Sequence, residues 1–340
     1  MVSFTPSSPL IPTLTLLLSL PILYFFLAPH FLPPRQISIS LPDELDDLSL
    51  FHKAIAMDAA NFSRRPTHLP AAKSHLSAAL RRPKIAFLFL TNSPLHFAPL
   101  WERFFSMSRS STTISTSTPT QNSEILAYVN LRRAPLLATA MLDDPANAYF
   151  AVISQHCIPL HSFNYFYNFL FDLGRLSRDL EFSSYIEILD DEPTLWDRYN
   201  ARGKNVMVPE VQFDEFRVGS QFFVLTRKHA LMVIKDRKLW RKFKLPCLNV
   251  DSCYPEEHYF PTMLSMQDPN GCSHYTLTRV NWTDSVNGHP HTYHPPEVSA
   301  ELIYTLRESN SSYSYMFARK FSPDCLNPLM EIADSVIFKD

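Results

Sequence analysis

The chain has 340 residues, 46% hydrophobic and 19% charged, which describes a folding chain with a sizeable core and excludes a disordered one. Thirty-one Lys and Arg against 33 Asp and Glu leave a net charge of -2, without the basic surplus of a nucleic-acid binder. The five glycines (Gly174, Gly203, Gly219, Gly271 and Gly288) are too scattered for a Gly-rich phosphate loop, and neither a G-x-S-x-G elbow nor an H-E-x-x-H helix occurs.

Residues 1–34 contain no Asp, Glu, Lys or Arg, and Leu10 to Ala28 is an uncharged run of 19. Such a run can cross the hydrocarbon core of a bilayer as a helix, in which Pro12 and Pro21 are tolerated. Ala28-Pro29-His30 makes a poor cleavage site, so an uncleaved signal-anchor over residues 10–28 is expected. The sequons at Asn61, Asn281 and Asn310 add modest support for a lumenal chain. Cys157, Cys247, Cys253, Cys272 and Cys325 allow at most two internal disulfides, and their spacing does not choose partners.

Residues 35–83 read as a stem, a solvated linker in which a short helix follows the acidic Asp43-Glu44-Leu45-Asp46-Asp47. Lys84–Thr91 is a buried strand that opens the main domain, residues 84–340. Pro94–Phe105 reads as a helix with Leu95, Leu100, Phe104 and Phe105 inward. Residues 110–123, ten of them Ser or Thr, read as a flexible surface loop that adds nothing to a core. Next come a helix over Leu136–Leu142, a strand over Tyr149–Ser154, a helix over Phe163–Leu173 and a strand over Ser184–Leu189. Gln221–Thr226 is a further strand and Arg227–Lys238 a helix. This rhythm implies an α/β sandwich with a largely parallel sheet.

Three constellations carry possible chemistry. In Cys253-Tyr-Pro-Glu256-Glu257-His258-Tyr259, adjacent carboxylates among aromatics suit a general base near an acceptor hydroxyl, and aromatics can stack on sugar rings. The same residues suit a helix N-terminus, with Pro255 first and both glutamates facing the dipole. In Phe317-Ala-Arg319-Lys320-Phe321, two cations interrupt an apolar strand, as a diphosphate clamp or as an edge with both side chains in water. His289, His291 and His294 surround Pro290 and read as solvated loop histidines before metal ligands. Asp190-Asp191-Glu192 lies at a strand end but is no D-x-D motif, and a solvated turn describes it equally.

Taken in chain order, several segments resemble the plant branch of the core-2/I-branching β-1,6-N-acetylglucosaminyltransferase family. They are Lys84–Thr91, Leu100-Trp-Glu-Arg-Phe-Phe105, Ser154-Gln-His-Cys-Ile-Pro-Leu160, Gly219-Ser-Gln-Phe-Phe223, Glu256-Glu-His-Tyr-Phe-Pro-Thr262, Asn281-Trp-Thr-Asp284 and Phe317–Phe321. The resemblance implies a single-pass type II Golgi membrane protein with a GT-A-like catalytic domain. It implies inverting transfer from a UDP-sugar, by family default UDP-N-acetylglucosamine, to a glycan or glycoprotein acceptor, with no cofactor and no bound metal. By position, Glu257 matches the catalytic base, and Lys320 with Arg319 matches the group that steadies the departing diphosphate. Glu256, Tyr259 and Trp282 are the expected acceptor or sugar contacts. The chain departs from the family in a shorter interval before the Leu136–Leu142 helix, and in Gln155 and His156, where an acidic and a small residue are usual. The alternative is a non-catalytic relative that binds glycans or serves as a scaffold: retained Glu257 and Lys320 favour the enzyme, the short interval the scaffold.

Overall fold

The computed structural model describes residues 41–63, 83–106, 112–117, 133–176, 182–283, 285, 288–310 and 313–340. The expected anchor over residues 10–28 and the Glu124–Leu131 segment lie outside them. Among the described residues no helix is long and apolar enough to cross a membrane.

In chain order the elements are α1 (Leu41–Ser63), β1 (Lys84–Leu90), α2 (Ala98–Ser106), β2 (Thr112–Ser117), α3 (Arg133–Asp143), β3 (Asn147–Ser154), β4 (Ile158–Pro159) and α4 (Phe163–Leu176). Then follow β5 (Ser184–Glu187), α5 (Leu195–Tyr199), β6 (Val224–Thr226), α6 (Arg227–Lys235), α7 (Lys238–Phe243), α8 (Pro255–Gln267), β7 (Cys272–His274), β8 (Thr278–Val280), α9 (Ala300–Arg307), β9 (Phe317–Arg319) and α10 (Leu326–Glu331). The single helix expected over Arg227–Lys238 is two. The Asp236 carboxylate accepts the backbone N–H groups of Lys238, Leu239 and Trp240, so it closes one helix and opens the next.

The main sheet runs β2-β1-β3-β6-β5-β7. β6 is antiparallel to both neighbours, and the other five strands share one direction. This is the mostly parallel α/β sheet expected, with one reversed strand inside it. β2 corrects the reading of residues 110–123 as a loop: residues 112–117 pair in parallel with β1, from Ile85 opposite Thr112 to Leu90 opposite Ser117. An edge strand needs only its backbone paired, and the β-branched Thr and Ile residues favour that conformation.

Side chains alternate across the central strands with period two. Ile85, Phe87 and Phe89 of β1 and Tyr149, Ala151 and Ile153 of β3 enter one apolar layer with Trp101, Phe104, Phe163 and Phe166. Ala86 and Leu88, with Phe150 and Val152, enter the other, with Leu137, Met141, Trp240 and Tyr259. A small sheet, β4-β9-β8, joins the first layer through Phe317, whose ring lies 5.0 Å from Phe166.

The second layer is closed by α1, which lies within the segment read as a solvated stem. Its Phe51 and Ala54 are fully buried, the Phe51 ring meets Trp240 edge-on at 6.0 Å, and Asp58 pairs with Arg227 at 2.7 Å. That part of the stem is therefore core, because an apolar stripe on one helix face gains more by burial than by solvation.

Candidate functional site

The first turn of α8 presents the paired glutamates. Tyr254 precedes it in a left-handed conformation (φ 33°), Pro255 takes the first helical position, and Glu256 and Glu257 follow. The Gly219 N–H donates to the Glu257 carbonyl at 2.9 Å. A Cβ at Gly219 would lie 1.9 Å from the Glu187 carbonyl oxygen, so only glycine lets the segment that bonds to α8 pass this close to the end of β5.

The two carboxylates have opposite surroundings. Glu257 is partly exposed, and its Oε2 accepts a hydrogen bond from Arg198 Nη1 at 2.9 Å. Arg198 is steadied in turn by Thr194 Oγ1 at 2.9 Å and lies over the Tyr254 ring, 5.2 Å from its centroid. Glu256 points inward, and its Oε2 has no hydrogen-bond partner among the described residues. Burial pushes its carboxyl pKa up, and the charge of Arg133 pulls it partly back. Burial lowers Arg133 and Arg202 to about 10 each, and the Glu256 charge opposes the fall in both. Arg133 is held on Gln221 by bonds to its carbonyl (3.1 Å) and its Oε1 (2.5 Å). Glu187, at the end of β5, is raised by burial and, to a smaller degree, by the neighbouring Glu257.

The second half of the site forms at the C-terminal ends of β1 and β3, where open α/β sheets place ligands. The Asn92 N–H donates to Gln155 Oε1 at 2.8 Å, and Gln155 Nε2 returns a bond to Asn92 Oδ1 at 2.6 Å. β9 reaches the same end: Phe317 anchors it in the core, and Arg319 and Lys320 follow half-buried. Arg319 lies 4.5 Å from the Phe222 ring centroid and its Nε has no hydrogen-bond partner among the described residues. Burial lowers the Arg319 guanidinium, while Cys157 and Glu257 oppose the fall. β4 pairs with β9, Ile158 opposite Ala318, and the Phe321 N–H donates to the His156 carbonyl at 3.1 Å. His156 consequently neighbours the cationic pair. Burial first, then the Lys320 charge, hold its imidazole below the ordinary histidine range.

The charge of Glu257 on α8 thus reaches Arg319 at the end of β9, and Lys320, the next residue, acts on His156. Other expectations are corrected. Tyr259 is fully buried, packed on Trp240, Phe243 and Phe260 with its hydroxyl donating to Asp236, so it is core rather than a sugar platform. Glu256 is buried and faces Arg133 and Arg202 instead of an acceptor. Trp282 is exposed, beyond β8. His291 pairs with Glu297 at 2.8 Å, and the Tyr293 N–H donates to the Lys320 carbonyl, which ties the histidine loop to the end of β9. Asp190 and Asp191 are exposed. Of the sequons, Asn61 and Asn310 are exposed and Asn281 is half-buried.

Arg133 and Arg198 are the side chains beside the glutamates that sequence reasoning missed. Neither stands in a motif, and only the fold brings them, across more than a hundred residues and about sixty residues respectively, to the glutamates. Cys247 pairs with Cys253 in a disulfide directly before Tyr254, and Cys157, Cys272 and Cys325 are buried free thiols.

Comparison with known proteins fits this arrangement. Residues 112–307 match the family described as Core-2/I-Branching enzyme. The chain is 27% identical over 233 residues to glycosyltransferase BC10 of Oryza sativa subsp. japonica, a match covering 55% of this chain and 55% of that protein. It thus spans about half the length of that curated relative. Arg133, Arg198, Glu256 and Glu257 fall inside the family match, and the β9 cations fall after it. The chain belongs to the core-2/I-branching enzyme family.

Proposed function

We propose that this protein is an inverting glycosyltransferase that moves a sugar, by family default N-acetylglucosamine, from a UDP-sugar to a hydroxyl of a glycan acceptor. Glu257 takes the proton of the acceptor hydroxyl as that oxygen bonds to the anomeric carbon. The bond from the anomeric carbon to the diphosphate breaks, and its electron pair leaves with the diphosphate oxygen. Arg319 and Lys320 neutralise that developing charge in place of a metal ion. The observation that supports this reading is a partly exposed carboxylate, Glu257, whose charge reaches Arg319 at the end of β9, with Lys320 next in the chain. The reading extends to residues 10–28 as a signal-anchor that holds the domain in the Golgi lumen, supported by their uncharged run and by the three sequons.

Calorimetry of residues 36–340 with UDP and UDP-N-acetylglucosamine tests the donor half. Micromolar binding that EDTA leaves unchanged is expected, and binding lost in EDTA overturns the cation clamp. Glu257→Gln tests the base: donor binding persists while transfer falls by about 100-fold or more, the usual scale for a general base. Equal transfer by the variant removes Glu257 from the role, and a folded chain that binds no UDP-sugar favours the non-catalytic reading.

A further inference from the structure

With Tyr259 buried, the aromatic beside the candidate base is Tyr254. This residue is 43% exposed. Its backbone is fixed on both sides, by the Cys247–Cys253 disulfide before it and by Pro255 after it. It holds a left-handed φ of 33°, a conformation that costs a non-glycine residue about 1–3 kcal/mol and that clusters at functional sites. The Tyr254 carbonyl accepts the Glu257 N–H at 3.0 Å, so ring and carboxylate leave the same turn. Arg198 lies over the ring and donates to Glu257 Oε2, which makes aromatic face, guanidinium and carboxylate contiguous.

We propose that Tyr254 is the platform on which the acceptor's pyranose ring stacks, so that one of its hydroxyls is delivered to Glu257. This rests on the glycosyltransferase reading above and adds the residue that binds the acceptor. A pyranose presents a face of C–H groups that packs on an aromatic ring, while its rim hydroxyls need polar partners. Arg198, bound to both the ring and the base, supplies donors at that rim. The disulfide and Pro255 hold the backbone on both sides of the ring, so little backbone order is lost when a sugar arrives.

The test uses the full chain with Tyr254→Ala and Tyr254→Phe. Donor binding is read by calorimetry with UDP-N-acetylglucosamine. Acceptor binding is read by saturation-transfer NMR with methyl β-D-galactopyranoside in saturating UDP. Slow hydrolysis of UDP-N-acetylglucosamine, with water as acceptor, reports the donor site and the base without a bound sugar acceptor. Tyr254→Ala is expected to leave donor affinity and hydrolysis within about twofold and to weaken the galactoside about tenfold, the scale of one aromatic contact. Tyr254→Phe, which keeps the face and loses only the hydroxyl, stays within about twofold of the parent. Unchanged galactoside affinity in Tyr254→Ala overturns the proposal. So does a fall in hydrolysis with galactoside affinity kept, which makes Tyr254 only a prop for Arg198. A parent protein that binds the UDP-sugar but no pyranoside overturns this inference alone, whereas one that binds neither overturns the glycosyltransferase reading as well.

Discussion

Glu256 and Glu257 are neighbours in sequence and opposites in environment, because successive residues of a helix point about 100° apart. Glu257 meets solvent and Arg198; Glu256 meets Arg133 and Arg202 in the interior. Glu256→Leu should therefore destabilise the domain by about 3–5 kcal/mol, since it strands two buried guanidinium groups without their counter-charge. Glu256→Gln keeps the volume and a polar acceptor and should cost visibly less. Urea denaturation of both variants checks the order, and equal losses would mean that the charge, which both variants remove, sets the cost rather than the polar acceptor. Sequence located this pair, and the helix N-terminus it offered as one reading is present, with Pro255 first and both glutamates in the first turn. Which carboxylate faces inward was not legible there, since it depends on how α8 is rotated against residues as distant as Arg133. The expectation of Tyr259 as a sugar contact fails for the same reason, since that rotation turns its ring into the core.

At the scale of elements, long and strongly patterned segments were legible and short or context-dependent ones were not. β1 and β3 carry enough consecutive apolar residues to declare themselves, while β4 and β9 have two and three residues and exist only through their pairing in the β4-β9-β8 sheet. β2 was hidden because its pairing uses backbone groups and its composition resembles a linker. α1 was legible as a helix but not as a core element: its partners, Trp240 on α7 and Arg227 on α6, lie far along the chain. Phe51→Ala tests that role. Losing a fully buried aromatic side chain should cost about 3–5 kcal/mol, against less than 1 kcal/mol for a residue on a solvated linker. A thermal melt in which the variant matches the parent would return α1 to the stem.

For the whole molecule, the buried imidazoles set how the fold responds to acid. His258 is fully buried on the Phe216 ring at 4.6 Å, and its Nδ1 donates to the Arg217 carbonyl at 2.9 Å, so the neutral tautomer is fixed. Burial pulls its pKa down to about 3, and burial also lowers His229 and His161. Between that folded value and the unfolded value of about 6.5, the unfolded chain holds a proton at this residue that the native chain refuses. Stability at this residue is thus complete above the unfolded value and is lost as pH falls below it, by about 1.4 kcal/mol per pH unit. Glu256 and Glu187 shift upward and act the other way, holding protons in the folded state above the pH at which the unfolded chain would. The pH profile of the parent alone mixes these terms, and a difference between two proteins separates them. His258→Phe keeps an aromatic ring on Phe216 and removes the titrating group together with its bond to the Arg217 carbonyl, a loss that is the same at every pH. The parent should lose about 2 kcal/mol relative to this variant between pH 7 and pH 5, read as diverging urea midpoints. Parallel midpoints would mean that the imidazole reaches water before the fold opens, and the acid response would then belong to His229 and His161.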